Sequence, residues 1–200
     1  MDRQHAEATL IALRHELARR SLAGFVRATM PDYRMGWVHK AICTELDAFL
    51  AAVQAGQSPR LMLCMPPRHG KSELASRRFP AYVFGRCPDM SIIGTSYSAD
   101  LSSRLNRDVQ RIIEQPEYAV IFPETTLSAK NIRTVASGSY LRNSDLFEIV
   151  GHRGSYRSAG VGGGITGMGG NILIVDDPFK DRAEADSPTI RRKVWEWYTS

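Results

Sequence analysis

An α/β fold with a mostly parallel central sheet is predicted by three observations. Short apolar runs of strand length alternate with segments of helical periodicity. One such run, residues 61–73 (LMLCMPPRHGKSE), breaks into a proline-rich turn that reaches Gly-Lys-Ser. Another, residues 171–177 (NILIVDD), ends in two acids. A strand that feeds a backbone cradle for phosphates needs a Lys for the β/γ-phosphates and a hydroxyl for Mg²⁺. A second strand must then deliver a carboxylate to the same ion. The chain carries both halves in that order.

The elements follow in sequence. Residues 3–20 set Ala6, Leu10, Leu13 and Leu17 at helical spacing. Residues 38–53 repeat the pattern more strongly with Val38, Ile42, Leu46, Phe49, Leu50 and Val53, and AGQSPR ends that helix. Arg60–Met65 reads as a buried strand, and Lys71–Phe84 as the helix after the phosphate loop, closed by RCPD at 86–89. MSIIGTS (90–96) reads as a second buried strand before a long helix from Ala99 to Glu114. Ile132–Ala136, Leu146–Val150 and Tyr156–Val161 read as short strands between Ser/Gly turns. A glycine cluster (160–170), the acid-bearing strand Ile172–Val175 and a final helix over 188–199, with Ile190, Val194, Trp195 and Tyr198 as its apolar face, complete the chain. This alternation predicts a three-layer P-loop NTPase fold with N-terminal helices. If the 92–95 strand lies between the two motif strands, it is the ASCE type, RecA/helicase-like. The expected organisation is a helical segment at 1–56 leading into an ATPase core at 57–200.

Bulk properties set outer limits. Two hundred residues, 43% hydrophobic and 24% charged, suit one soluble domain. No apolar run approaches the ~20 residues that span a bilayer, and the N-terminus lacks a signal-peptide core. This points to the cytosol. Cys43, Cys64 and Cys87 have no zinc or CxxC spacing and are expected as reduced, mostly buried thiols. A formal charge of +5 is compatible with an anionic partner but does not identify one.

The chemistry concentrates in PPRHGKS, residues 66–72. Gly70 admits close approach of phosphates, Lys71 supplies the binding charge and Ser72 the Mg²⁺ hydroxyl. The N–H groups of His69 to Ser72, aided by the following helix N-terminus, face an anion, with Pro67 and Glu73 at the borders of the cradle. The full pattern has a Gly five residues before Gly70, where this chain has Met65. Arg68, inside the loop, is either a second charge for the γ-phosphate or a surface arginine. Asp176 is placed to hold Mg²⁺, directly or through water. Asp177 stands where a Glu commonly orients or deprotonates the attacking water, one methylene shorter. The plainer alternative is a pair of capping acids before Pro178. Gly162-x-Gly164-x-x-Gly167 matches a dinucleotide fingerprint, but it precedes a strand rather than following one, so the match is rejected. A mobile substrate loop or a flexible connector remains. Arg153 and Arg157 are candidates for an arginine finger or for DNA phosphates, or are solvated strand residues. Trp37, His39 and Lys40 are candidates for packing on an adenine base, although a buried Trp at a helix start is the commoner case. Tyr97-Ser98 and then Arg104, Arg107 and Arg111 offer a nucleic-acid contact or a solvated basic face.

Four segments in order resemble a known family: PPRHGKSELASRRFPAYVFGRCPD, IIGTSYSADLSSR, FP at 122–123, and GVGGGITGMGGNILIVDDPFKD. Together they resemble the N-terminal ATPase domain of the large terminase subunit of tailed bacteriophages and prophages, from roughly Trp37 to the last residue. The resemblance implies an ATP-driven, Mg²⁺-dependent motor in the host cytoplasm that moves double-stranded DNA into a procapsid. It implies a homo-oligomeric ring on the portal protein, with a small terminase subunit as partner and a monomer in isolation. It implies that Arg68, Lys71 and Ser72 act at the phosphates, Asp176 at Mg²⁺ and Asp177 as the catalytic carboxylate. The family's coupling segment is expected just beyond Ser200, and its C-terminal nuclease is absent, so DNA cleavage is not expected. Two rivals stand beside this reading. A small-molecule kinase should carry an Arg-rich lid where this chain ends on WEWY. A nucleotide-binding assembly module would bind without turnover.

Overall fold

The computed structural model describes residues 3–129, 139–165, 167 and 169–199. It is α/β, with eight α-helices and four strands among those residues. They fall into two compact units. One comprises residues 1–88 and 111–126, the other residues 89–110 and 127–200. The strand expected at Ile132–Ala136 lies outside the described residues. No described helix is long and apolar enough to cross a membrane.

The first unit is helical: α1 (Arg3–Arg20), α2 (Leu22–Thr29), α3 (Trp37–Gln54), α4 (Phe79–Arg86) and α6 (Pro116–Ile121). Aromatic packing fills its centre. Phe25 meets Tyr82, Tyr118 and Phe122 with ring centroids 5.6, 5.8 and 5.9 Å away. Leu22, Leu50, Leu74 and Phe84 are fully buried around them. Gly85 is required here, because a Cβ would lie 2.2 Å from the Phe122 ring. Ser21 caps α2 by accepting from the Gly24 N–H, and both Asp47 carboxylate oxygens accept from the Leu22 N–H at 3.0 and 3.1 Å. Burial pushes the Asp47 carboxyl above its ordinary value, and the Leu22 N–H opposes that.

The sequence placed a buried strand at Arg60–Met65, and the structure does not form it. These residues have no ladder partner; Met62 is 85% exposed and Cys64 is exposed too. An apolar run of that length does not specify its partner edge, and the helical unit contains no described strand to supply one. The α1 stripe is likewise not a core face: Leu10, Leu13 and Leu17 are exposed, while Ala18 is buried. Trp37 stands in solvent at the start of α3.

The second unit holds the sheet, in the order β2 (Leu146–Glu148), β3 (Ser155–Gly160), β1 (Ser91–Ser96), β4 (Ile172–Asp176). β1 runs parallel to β3 and β4, and β2 is antiparallel to β3. Phe147 and Tyr156 stack with centroids 5.5 Å apart and ring planes nearly parallel. Gly94 leaves room for the Tyr156 hydroxyl, which a Cβ would overlap. α5 (Ala99–Ile113) buries Leu105 and Val109 and exposes Arg104, Arg107 and Arg111. After β3, the Val161 N–H donates to Ser96 O and the Gly163 N–H to Gly160 O. α7 (Arg182–Asp186) starts on an Asp181 cap, and the Glu184 carboxylate reaches back to the Lys180 N–H. α8 (Pro188–Thr199) turns Ile190, Val194 and Trp197 inward, with the Trp197 indole donating to Gly163 O at 3.1 Å. Trp195 and Tyr198, expected on that face, are exposed and lie against each other instead.

Candidate functional site

The Gly-Lys-Ser half of the candidate site lies in the helical unit. Residues 71–86 form one continuous helix, so Lys71 and Ser72 sit in its first turn, at the end where the helix dipole favours an anion. Its middle, Glu73–Arg78, is π-helical, and the Phe79 N–H reaches Leu74 O. Residues five apart stand about 140° apart around an α-helix; the i→i+5 turn brings them closer to one side. That is how Glu73 and Arg78 meet, at 2.8 Å. Buried Arg78 also donates to the Thr29 hydroxyl at 2.8 Å and to Thr29 O, so it ties the post-loop helix to α2. Glu73 therefore answers Arg77 and Arg78.

Above that helix the loop turns sharply. Arg68 and Gly70 have φ of 62° and 85°. A Cβ on Gly70 would lie 2.4 Å from the Tyr33 hydroxyl and 3.4 Å from His39 Nε2, so only glycine fits. The His69 ring closes on its own loop, with Nδ1 donating to Pro67 O at 2.8 Å. Behind the loop stands His39. Its Nδ1 accepts from the Gly36 N–H at 3.0 Å, and its Nε2 faces the His69 carbonyl at 3.1 Å. An Nδ1 that accepts leaves the proton on Nε2, which donates to His69 O. The Tyr33 ring packs edge-on to His39 at 5.3 Å, and its buried hydroxyl has no partner among the described residues. Burial, then the charges of Cys43 and Glu73, push that hydroxyl above its ordinary value, so it stays protonated.

The acid half lies in the sheet unit. The parallel strands end in step at Ser96, Gly160 and Asp176. Ligands in α/β sheets bind beyond this carboxyl end. Asp176 is buried at 6% exposure, and its charge adds to the burial that pushes the Tyr156 hydroxyl upward. Ser96, opposite Asp176 in register, keeps a buried hydroxyl with no partner among the described residues. Asp177 is exposed, with φ at 48°, and its carbonyl accepts from the Tyr97 N–H at 3.1 Å. A pocket of about 240 Å³ opens here, lined by Tyr97, Val161, Gly162, Pro178, Glu184 and Lys193.

Arg68 and Asp177 are the non-glycine residues with positive φ among those described. Such backbone costs about 1–3 kcal/mol and persists where function or surrounding structure requires it. Arg153 is solvent-facing; its N–H and guanidinium approach Asp89, whose carboxyl they hold below its ordinary value, the N–H first. Arg157 lies within β3, paired with Ile93 and Leu146. Sequence reasoning missed Tyr33, Ser96 and Arg78, and offered His39 only to an adenine base. Nothing in their local pattern marks them; their surroundings are set by segments distant in the chain, as Thr29 is for Arg78 and Gly70 for Tyr33.

Ser72 and Asp176 each carry an oxygen donor of a kind that Mg²⁺ accepts. No cluster of three His, Cys, Asp or Glu able to hold a metal occurs among the described residues. Mg²⁺ does not need one: it keeps several waters and takes one or two protein ligands plus phosphate oxygens. Ser72 and Asp176 are of that type.

No curated protein and no solved structure matches the chain. The family model described as terminase large subunit, T4likevirus-type, N-terminal, matches residues 62–200. That span takes in the post-loop helix, all four strands and both motifs. The match covers well over half the chain and places the protein in that family: it belongs to the N-terminal domains of T4-type terminase large subunits.

Proposed function

We propose that this chain is the ATPase motor part of a phage DNA-packaging subunit. It hydrolyses ATP with Mg²⁺ to drive double-stranded DNA into a procapsid. Family membership supports the DNA-packaging role. The observation that carries the ATPase reading is the pairing of backbone strain with motif: the left-handed residues Arg68 and Asp177 fall in the two segments that the chemistry needs.

The roles follow from residue chemistry. The amides of 69–72 bind phosphate oxygens, the Lys71 ammonium neutralises β/γ charge, and Arg68 adds charge where it grows in the transition state. Mg²⁺, held by Ser72 and Asp176, would neutralise charge on the β- and γ-oxygens. The Asp177 carboxylate orients the attacking water and accepts its proton. DNA, the portal protein, a small subunit, a ring of copies on the portal and the host cytoplasm complete the proposal.

The test is ATP turnover with Mg²⁺, with and without double-stranded DNA. Lys71→Ala should weaken ATP binding about 10–100-fold, the equivalent of about 1.5–3 kcal/mol for a charged hydrogen bond. Asp177→Asn should keep ATP binding and lose about 10²–10⁴-fold in turnover. Turnover insensitive to both changes would sink the ATPase reading. Phosphoryl transfer to a small acceptor would favour the kinase, and binding without turnover the assembly module.

A further inference from the structure

We infer that His39 is a positioning residue for the phosphate loop, acting through the His69–Gly70 peptide; this rests on the phosphate-binding reading above. The imidazole is fixed from both sides. Gly36 N–H donates to Nδ1 at 3.0 Å, which leaves Nε2–H to donate to the His69 carbonyl at 3.1 Å. The His69–Gly70 peptide is trans, so its N–H points away from its C=O. Holding the carbonyl against His39 therefore aims the Gly70 N–H to the side opposite His39. That is the direction an amide must take to donate to a phosphate oxygen.

The packing supports the same device. Gly70 has φ of 85°, and a Cβ there would come 3.4 Å from His39 Nε2 and closer still to the Tyr33 hydroxyl. Tyr33 stands edge-on to His39 and holds the ring upright. The loop thus rests on a wall built from residues 33–39, well outside the Gly-Lys-Ser motif. Glycine leaves the peptide free to flip, and the imidazole removes that freedom before any ligand arrives.

The test compares ATP with inorganic tripolyphosphate, which has no base, on the full chain. Isothermal titration would be run on the wild type and on His39→Leu, His39→Gln and Lys71→Ala. His39→Leu should weaken both ligands by the same factor, about five- to tenfold for one lost hydrogen bond. Glutamine carries an N–H the same number of bonds from Cα as Nε2, so His39→Gln should return both affinities to within about twofold. Loss of ATP affinity with tripolyphosphate unchanged would place His39 on the base and overturn the inference. So would unchanged affinity for both. If His39→Leu does not fold, His39→Gln decides alone: retained affinity supports the role, and a loss as deep as that of Lys71→Ala overturns it. A wild type that binds neither ligand would overturn the phosphate-loop reading itself.

Discussion

Replacing Gly70 by alanine tests the loop geometry without any nucleotide. Two costs add. The backbone at φ 85° penalises an L side chain by about 1–2 kcal/mol. The new Cβ would sit 2.4 Å from the Tyr33 hydroxyl, and such overpacking costs about 1–3 kcal/mol. Gly70→Ala alone should therefore lose about 2–5 kcal/mol. Tyr33→Phe removes the obstructing oxygen. Because that oxygen is buried and unpartnered, its removal should be neutral or stabilise by up to about 1 kcal/mol. In the double variant only the backbone cost should remain, since His39 at 3.4 Å needs to yield little. The expected coupling is about 1–3 kcal/mol, read from urea unfolding followed by far-ultraviolet circular dichroism on all four proteins. Additivity within about 0.5 kcal/mol would show that Tyr33 does not back the loop.

Two further predictions concern the supports of that half. Arg78→Met should destabilise by about 2–4 kcal/mol, because it leaves the buried Thr29 acceptors without their donor and Glu73 with Arg77 alone; thermal or urea unfolding checks it. Asp47, with its carboxyl raised by burial, holds its proton longer in the folded state than in the unfolded chain. Stability should therefore fall as pH rises from the ordinary Asp value of 3.8 through the raised folded value. Asp47→Asn keeps an acceptor for Leu22 N–H and should flatten that slope in urea midpoints measured from about pH 4 to 7. A slope unchanged in the Asn variant would assign the dependence to another group.

The sequence by itself determined the family and most of the elements. β1, β3 and β4 lie within one residue of the apolar runs at 92–95, 156–161 and 172–175, and α3 buries Ile42, Leu46 and Leu50 as its periodicity requires. Gly-Lys-Ser and the paired acids stand out in the sequence because the phosphate and metal chemistry proposed for them calls for those residue types next to one another. What tertiary structure decided was partnership. Periodicity states which side chains favour burial, not which surface receives them, so the run at 60–65 stayed unpaired, the α1 stripe stayed exposed, and α8 turned Trp197 inward in place of Trp195. The same reason hid Tyr33, Ser96 and the role of His39. Each acquires its meaning from a backbone atom, or from the lack of a partner, at a place set by residues distant in the chain. The π turn belongs here too, since the bridge of Glu73 to Arg78 and on to Thr29 exists only once α2 has packed beside the post-loop helix.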